Sequence, residues 1–201
     1  MTTFFFVRHG VTSHTNKKLS GWLPDIHLTD EGRKQSEIAA SSLARAPFKA
    51  VYSSPIARCA ETARIVAAPH RLAVRTRRDL GEVEYGRWTG RSFKSLYRTK
   101  LWSVVQRWPS GFRFPEGEAL RDVQSRSVAA LEELRSKHRG QTICVVSHAD
   151  VIRLVVAHCL GLHMDLFQRI VIGPASITVV DVNEYGPRVI TVGAPPGASF
   201  S

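Results

Sequence analysis

Alternating blocks of apolar and polar residues along the chain predict a protein in which strands and helices alternate. Short apolar runs rich in β-branched or aromatic residues predict buried strands at Thr3–Arg8, Lys49–Ser53 and Thr142–Ser147. Such alternation indicates an α/β fold, a three-layer sandwich with a mostly parallel central sheet flanked by helices.

Capping and stop signals place helices between these strands. Thr29 precedes two acidic residues and is predicted to cap a helix that ends before Pro47. Ser54 and Pro55 are predicted as the N-cap and first position of the next helix, which runs to about Ala68. Two later helices are predicted over Glu118–His138 and Ala149–Leu160.

The remaining segments are less regular. We predict a short strand within residues 71–80, a loop over 81–90, and a helical or irregular stretch over 92–108. Ser176–Val182 and Arg188–Val192 are predicted to form a hairpin. The whole reads as one domain over residues 1–193, with a loose Pro/Gly-rich tail from residue 194 to 201.

The charge is strongly positive, with 28 Lys and Arg against 17 Asp and Glu among 201 residues, a net +11. Such a chain attracts anions. The basic residues are spread out and form no recognisable nucleic-acid module, so a nucleic-acid partner is not expected. A solvated basic surface and a site for a phosphorylated substrate both stay open on charge alone.

The chain also carries signals about its compartment. The apolar start Phe4–Val7 has no basic residues before it, which is typical of a strand and not of a signal peptide. No apolar run is long enough to span a bilayer, so we expect no membrane partner. Cys59, Cys144 and Cys159 are too few and too scattered for a disulfide framework, so we predict buried reduced thiols in a cytoplasmic protein.

Arginine and histidine side chains follow the ends of three predicted strands. The first ends in Arg8-His9, the second leads to Arg58 in the following helix, and the third ends in His148. In parallel sheets ligands bind beyond the carboxyl ends of the strands. Guanidinium groups match phosphate oxygens, so the sequence predicts an anion site at this edge.

A carboxyl group is predicted to lie near the same edge. Glu82 sits in a loop between Gly81 and Gly86 and could donate a proton to a leaving oxygen, with Glu84 as the rival. The chain has no P-loop, no nucleophile elbow of the Gly-x-Ser-x-Gly type and no zinc-ligand spacing, so we predict no bound metal and no cofactor.

Taken in order, these residues resemble the histidine phosphatase superfamily, the phosphoglycerate mutase-like enzymes. The resemblance covers about residues 3–160. It is carried by Phe6-Val7-Arg8-His9-Gly10 with Thr12, Ser20-Gly21-Trp22, Leu28–Gly32, Ser53-Ser54-Pro55 with Arg58 and Glu61-Thr62-Ala63, Glu82 with Tyr85-Gly86, Trp88 and Gly90, Pro115–Glu118, and Val146-Ser147-His148.

The resemblance implies a covalent mechanism without metal. His9 would attack phosphorus, while Arg8, Arg58 and His148 would hold the phosphoryl oxygens. Glu82 would protonate the leaving alcohol and then activate water. The substrate would be a small phosphorylated metabolite whose identity, like the existence of a homodimer, the sequence leaves open.

The chain departs from the family pattern beside the nucleophile. Val11 replaces an acidic residue, and Thr15 stands where many relatives have Asn, with Asn16 one step later. Either could contact phosphate, and Gly21 is a third expected substrate-binding position.

The resemblance also implies a lid insertion over about residues 91–117, here rich in basic residues. The short chain favours the phosphatase branch, with a phosphomutase or a non-catalytic phospholigand or nucleic-acid binding module as alternatives.

Overall fold

The computed structural model describes residues 1–200, whose centre is a six-stranded sheet in the order β3-β2-β4-β1-β5-β6. The first four strands in this order are parallel to one another, and β5 and β6 are antiparallel additions at one edge. The strands are β1 (Thr2–Arg8), β2 (Phe48–Ser53), β3 (Val74–Thr76), β4 (Thr142–Ser147), β5 (Ile177–Asn183) and β6 (Gly186–Ala194). The predicted α/β fold and the late hairpin are thereby confirmed.

Six α-helices accompany the strands within residues 1–200. They are α1 (Asp30–Leu43), α2 (Ala57–Ala67), α3 (Phe93–Leu96), α4 (Lys100–Arg107), α5 (Leu120–Lys137) and α6 (Ala149–Cys159). Alternate side chains of the central strands face opposite layers. Phe4 and Phe6 pack in one apolar core with residues of α5 and α6, whereas Val7 packs in a second core with residues of α1 and α2.

Helix starts show where local signals succeed and fail. The Thr29 side chain accepts a hydrogen bond from the Gly32 N–H at 3.1 Å and caps α1, as predicted. The predicted start of α2 at Ser54-Pro55 is wrong, because the N-cap is Ile56, which makes no side-chain cap. The Ser54 hydroxyl accepts from the Ile56 N–H at 3.3 Å, which closes a turn ahead of the helix, and it also bonds to His148 at 2.8 Å. The fifth helix begins at Leu120, two residues after its predicted start.

The lid segment, defined here as residues 91–117, folds into the two short helices α3 and α4 and a turn over Pro109–Gly111. The tail meets the domain at several points. Ala194 closes β6, the Gly197 N–H donates to the Ser42 hydroxyl at 3.0 Å, and the Phe200 ring lies 5.7 Å from that of Phe5. The domain boundary at residue 193 and the looseness of the tail stay predictions.

Among residues 1–200, no helix is both long and apolar enough to cross a membrane.

Candidate active site

The carboxyl ends of β1, β2 and β4 meet at one edge of the sheet. These strands are neighbours, and backbone hydrogen bonds continue past their ends: His9 N–H donates to the Ser147 carbonyl at 3.1 Å, and Ser54 N–H to that of Val146 at 3.0 Å. The topology therefore brings the predicted Arg8, His9, Arg58 and His148 together, and we call these four residues the strand-end cluster.

Gly10 fixes the chain direction directly after His9. A Cβ atom at Gly10 would lie 2.3 Å from the Gly32 carbonyl oxygen, a distance that no side chain tolerates. Glycine at this position allows the backbone of the His9–Gly10 turn to touch the first turn of α1. The Gly10 N–H donates to the Thr62 hydroxyl at 3.2 Å, which ties the same turn to α2.

The His9 ring is held in one orientation and one protonation state. Its Nδ1 lies 2.8 Å from the Gly10 carbonyl oxygen, which can only accept, so Nδ1 carries the proton. Burial, followed by the charges of Arg58 and Arg8, lowers the pKa of His9 well below its usual value. The ring is therefore neutral, and the lone pair of Nε2 accepts a hydrogen bond from Arg58 Nε–H at 3.3 Å.

Two guanidinium groups beside His9 have N–H donors without acceptors. Arg58 is only 1% exposed and donates from Nη2 to the Gly21 carbonyl at 2.9 Å and to His148 Nδ1 at 3.2 Å. The Nη1 of Arg58 is buried without an acceptor in residues 1–200. The Nε of Arg8 is likewise buried without an acceptor there, while the Nη1 of Arg8 donates to the Ile172 carbonyl at 2.7 Å. Buried cationic donors without partners suit an anionic ligand.

His148 lies behind Arg58, fully buried. Because Arg58 can only donate, His148 Nδ1 accepts, and Nε2–H donates to the Ser54 hydroxyl at 2.8 Å. Burial, with the charge of Arg58 next, lowers the pKa of His148 well below its usual value. The imidazole thus orients Arg58, and its ring centre lies 5.4 Å from that of His9.

Glu82 faces this cluster from the loop after residue 80. Its Oε2 is 3.6 Å from His148 Nδ1, and its Oε1 accepts from the Val83 N–H at 3.0 Å. Burial, and after it the nearby Asp150 carboxylate, raises the pKa of Glu82 to about 7. This carboxyl can therefore give and take a proton near neutral pH. Its rival Glu84 is exposed and pairs with Arg78 at 3.0 Å.

Arg126 of α5 holds the backbone of the Glu82 loop. Its guanidinium donates to the carbonyl oxygens of Asp79, Gly81 and Glu82 at 2.8–3.0 Å, and it pairs with Glu118. Sequence reasoning missed Arg126, because it lies 44 residues from Glu82 in the chain and no local pattern marks it.

Asp150 is a second polar residue at the site that sequence reasoning left without a role. Its carboxylate accepts from the Tyr85 hydroxyl at 2.9 Å and from Arg153 at 3.0 Å. The only available signal was its place two residues after His148, which puts it in the first turn of α6. Asp150 adds a negative charge near Glu82 and contributes to its raised pKa.

The cluster opens into a cavity of about 390 Å³. Arg8, His9, Arg58 and Glu82 line it, together with both Thr15 and Asn16 from the loop after β1. The Thr15 hydroxyl accepts from the Thr12 N–H at 2.9 Å, so it helps to close its own loop. Gly21 is not part of the lining and contributes its carbonyl oxygen to Arg58.

The outer wall of the cavity comes partly from the lid segment. Phe93, Trp102, Val105 and Gln106 face inward there. Within residues 1–200, no group of three or more His, Cys, Asp or Glu side chains is arranged to hold a metal ion.

Comparison with known proteins gives a consistent family. The family model of the histidine phosphatase superfamily (branch 1) matches residues 4–195. Phosphoserine phosphatase 1 of Hydrogenobacter thermophilus is 30% identical over 187 residues, which are 92% of this chain and 88% of that protein. The 2,3-bisphosphoglycerate-dependent phosphoglycerate mutase of Thermoplasma acidophilum is 32% identical over 200 residues, 96% of this chain and 93% of that protein.

Among solved structures, the fold resembles phosphoserine phosphatase from Entamoeba histolytica in complex with 3-phosphoglyceric acid. The TM-score is 0.89 at 23% identity, over 98% of this chain and 99% of that one. This likeness supports the fold.

Proposed function

The chain belongs to branch 1 of the histidine phosphatase superfamily, and from that premise we propose that it hydrolyses small phosphomonoesters through a phosphohistidine on His9. One observation carries the proposal: the neutral His9 presents its Nε2 lone pair beside Arg58, whose buried Nη1 has no acceptor in residues 1–200. A nucleophile and a cationic donor are thus aimed at one place.

In the first step, Arg58 Nε–H turns from His9 Nε2 to a phosphoryl oxygen, the freed Nε2 lone pair attacks phosphorus, and the bond from phosphorus to the ester oxygen breaks. Arg58 and Arg8 neutralise the charge on the phosphoryl oxygens as the bonds change. Glu82 gives its proton to the departing oxygen, and the alcohol leaves.

In the second step, water replaces the alcohol. The Glu82 carboxylate takes one proton from water while the water oxygen bonds to phosphorus and the Nε2–phosphorus bond breaks. Inorganic phosphate leaves, and His9 returns to its neutral state with Nδ1 still donating to Gly10.

We assign different roles to the other predicted site residues. Asn16 is preferred over Thr15 as a phosphate contact, because the Thr15 hydroxyl is engaged with Thr12. His148 and the Gly21 carbonyl hold Arg58 in place. A direct bond from His148 to phosphate would require its proton to move from Nε2 to Nδ1.

Hydrolysis is favoured over the two alternatives. The exposed side chains of Asn16 and Lys18 border the cavity, so water has a route to a phosphohistidine. A phosphomutase must instead protect that intermediate until a second acceptor arrives. A binding module needs no proton donor, whereas Glu82 lies buried at the site with its pKa raised to about 7.

The test is to trap the intermediate. The enzyme, quenched during turnover of a ³²P-labelled phosphomonoester with no metal added and with a chelator present, is expected to carry acid-labile, base-stable label. His9→Asn should lose the label and about 10⁴-fold or more of the activity. The matched control is His14→Asn, a second imidazole that lines the cavity, which should keep the label.

Label that persists in His9→Asn would refute the nucleophile. Activity that requires an added metal would refute the metal-independent mechanism. Phosphorus NMR distinguishes the alternatives further, since a mutase transfers the phosphoryl group to a second metabolite and releases little inorganic phosphate.

A further inference from the structure

The lid segment and its approach contain a long stretch of one charge. From residue 85 to residue 115 the sequence has seven Arg or Lys and no Asp or Glu, which is +7 of the chain's net +11. All seven side chains are exposed: Arg87, Arg91, Lys94, Arg98, Lys100, Arg107 and Arg113.

Most of these cations are uncompensated. Arg87 pairs with Glu116 and Arg113 pairs with Asp122, both acids outside the stretch. The other five form no ion pair within residues 1–200. The surface therefore has a free positive charge of about five on α3, α4 and the residues beside them.

The same surface exposes large apolar side chains. Tyr97, Leu101, Val104 and Trp108 are 62%, 46%, 38% and 59% exposed. The spacing of three and four residues places Leu101, Val104 and Trp108 on one side of α4 and its C-cap, and we call these three the apolar stripe. Tyr97 lies at the end of α3, with its ring centre 5.0 Å from that of Trp102.

The two sides of α4 have different surroundings. Trp102 and Val105 on its inner side line the catalytic cavity, and Val105 is 4% exposed. The outer side carries the apolar stripe, with Lys100 and Arg107 next to it on the helix surface. A group of exposed apolar side chains bordered by cations is typical of a docking site.

We propose that the apolar stripe docks on an anionic lipid surface. Amphipathic helices with aromatic and aliphatic residues on one face and Lys or Arg beside it lie in the headgroup region of such membranes. Docking of this kind is peripheral and needs no spanning segment, so it revises the expectation of no membrane partner, which rested only on the lack of a bilayer-spanning run in the sequence.

Other occupants fit less well. A second copy docked face to face would bring the five unpaired cations of one lid against the five of the other, with no acidic residue in either stretch, so the two surfaces repel. Nucleic acid would satisfy the cations, but its phosphate backbone offers nothing to the aliphatic Leu101 and Val104.

The experiment uses the full chain and sedimented vesicles. We expect binding to phosphatidylcholine vesicles that contain phosphatidylserine, little binding to phosphatidylcholine alone, and release by high salt. The double variant Leu101→Ser/Trp108→Ser should weaken binding by about tenfold or more. A second variant, Arg98→Gln/Arg107→Gln, should also weaken it and reduce the effect of salt.

A matched control separates the apolar stripe from exposed apolar residues elsewhere. Ile190→Ser/Val192→Ser changes two exposed side chains of the edge strand β6 and should bind vesicles like the unmodified protein. Hydrolysis of a water-soluble substrate should be unchanged in the Leu101→Ser/Trp108→Ser variant, since both residues lie outside the cavity. The result is therefore independent of whether the proposed hydrolysis is correct.

Three outcomes would overturn the proposal. The first is no binding to anionic vesicles, or equal binding to neutral ones. The second is unchanged vesicle binding by both lid variants. The third is concentration-dependent dimerisation that the Leu101→Ser/Trp108→Ser variant abolishes, which would make a second copy the occupant.

Discussion

The strand-end cluster and the lid segment border the same cavity, yet they are built in opposite ways. His9, Arg58 and His148 are at most 6% exposed, and each side chain is held by at least one hydrogen bond to a backbone or side-chain partner. The lid segment consists of two short helices whose outer residues face water. The comparison indicates that the sheet holds the candidate reacting groups in fixed positions, whereas the lid provides a more adaptable surface for binding a ligand.

The largest effect that would test this division concerns the proton donor. Glu82→Gln should lower kcat for an alkyl phosphate by about 10²–10⁴-fold, because Gln cannot protonate the leaving oxygen. The loss should be much smaller with 4-nitrophenyl phosphate, whose leaving group needs little protonation.

The pH profile provides a second readout for the same residue. In the first step of the proposed mechanism Glu82 must be protonated, and burial raises its pKa to about 7. His9 must be neutral in that step, and burial lowers its pKa well below the usual value. The kcat/KM of the unmodified enzyme should therefore fall as pH rises through about 7, and Glu82→Gln should flatten that limb. Glu84→Gln, the exposed rival, should leave both activity and profile unchanged; an equal loss in Glu84→Gln would contradict the assignment.

A somewhat smaller loss is expected when the buried cation is removed. Arg58→Gln should reduce kcat by about 10²–10³-fold, because a donor to the phosphoryl oxygens is lost. The pKa of His9, followed by NMR of its ring, should rise, since the Arg58 charge helps to lower it. Arg64→Gln on the exposed side of the same helix is the control, and a His9 pKa that does not move would argue against this electrostatic coupling.

The smallest effect should come from the inner side of the lid. Trp102→Ala should raise KM by about three- to tenfold with little change in kcat, because it removes an apolar cavity wall and touches no reacting group. Trp108→Ala, on the outer side, should leave the kinetics of a soluble substrate unchanged. A loss confined to kcat in Trp102→Ala would mean that the lid takes part in the chemistry.

The comparison also explains what the sequence could reveal. The central strands were predicted within about two residues, because their apolar runs are continuous and each ends in a charged or polar residue. The order of those strands places Arg8, His9, Arg58 and His148 together, so local patterns sufficed to find them. The resemblance to the family pointed to Glu82.

The missed features depend on contacts that no local pattern encodes. The predicted start of α2 was wrong because the Ser54 hydroxyl closes a turn with the Ile56 N–H ahead of the helix and also bonds to His148, 94 residues away. Arg126 and the Tyr85–Asp150–Arg153 network act through residues distant in the chain. In the lid, no clear period separated helix from loop, and only the structure shows that its aromatic residues divide between two sides.

The position of β1 has a consequence for how this molecule is made. Its partners are β4 and β5, so Thr3 pairs with Thr142 and Thr2 with Val182. During translation the three consecutive phenylalanines Phe4–Phe6 leave the ribosome long before the strands that become their neighbours in the sheet. The segment that bears His9 is thus synthesised well before β4 and β5, and it acquires its final surroundings only after both of those strands have been made.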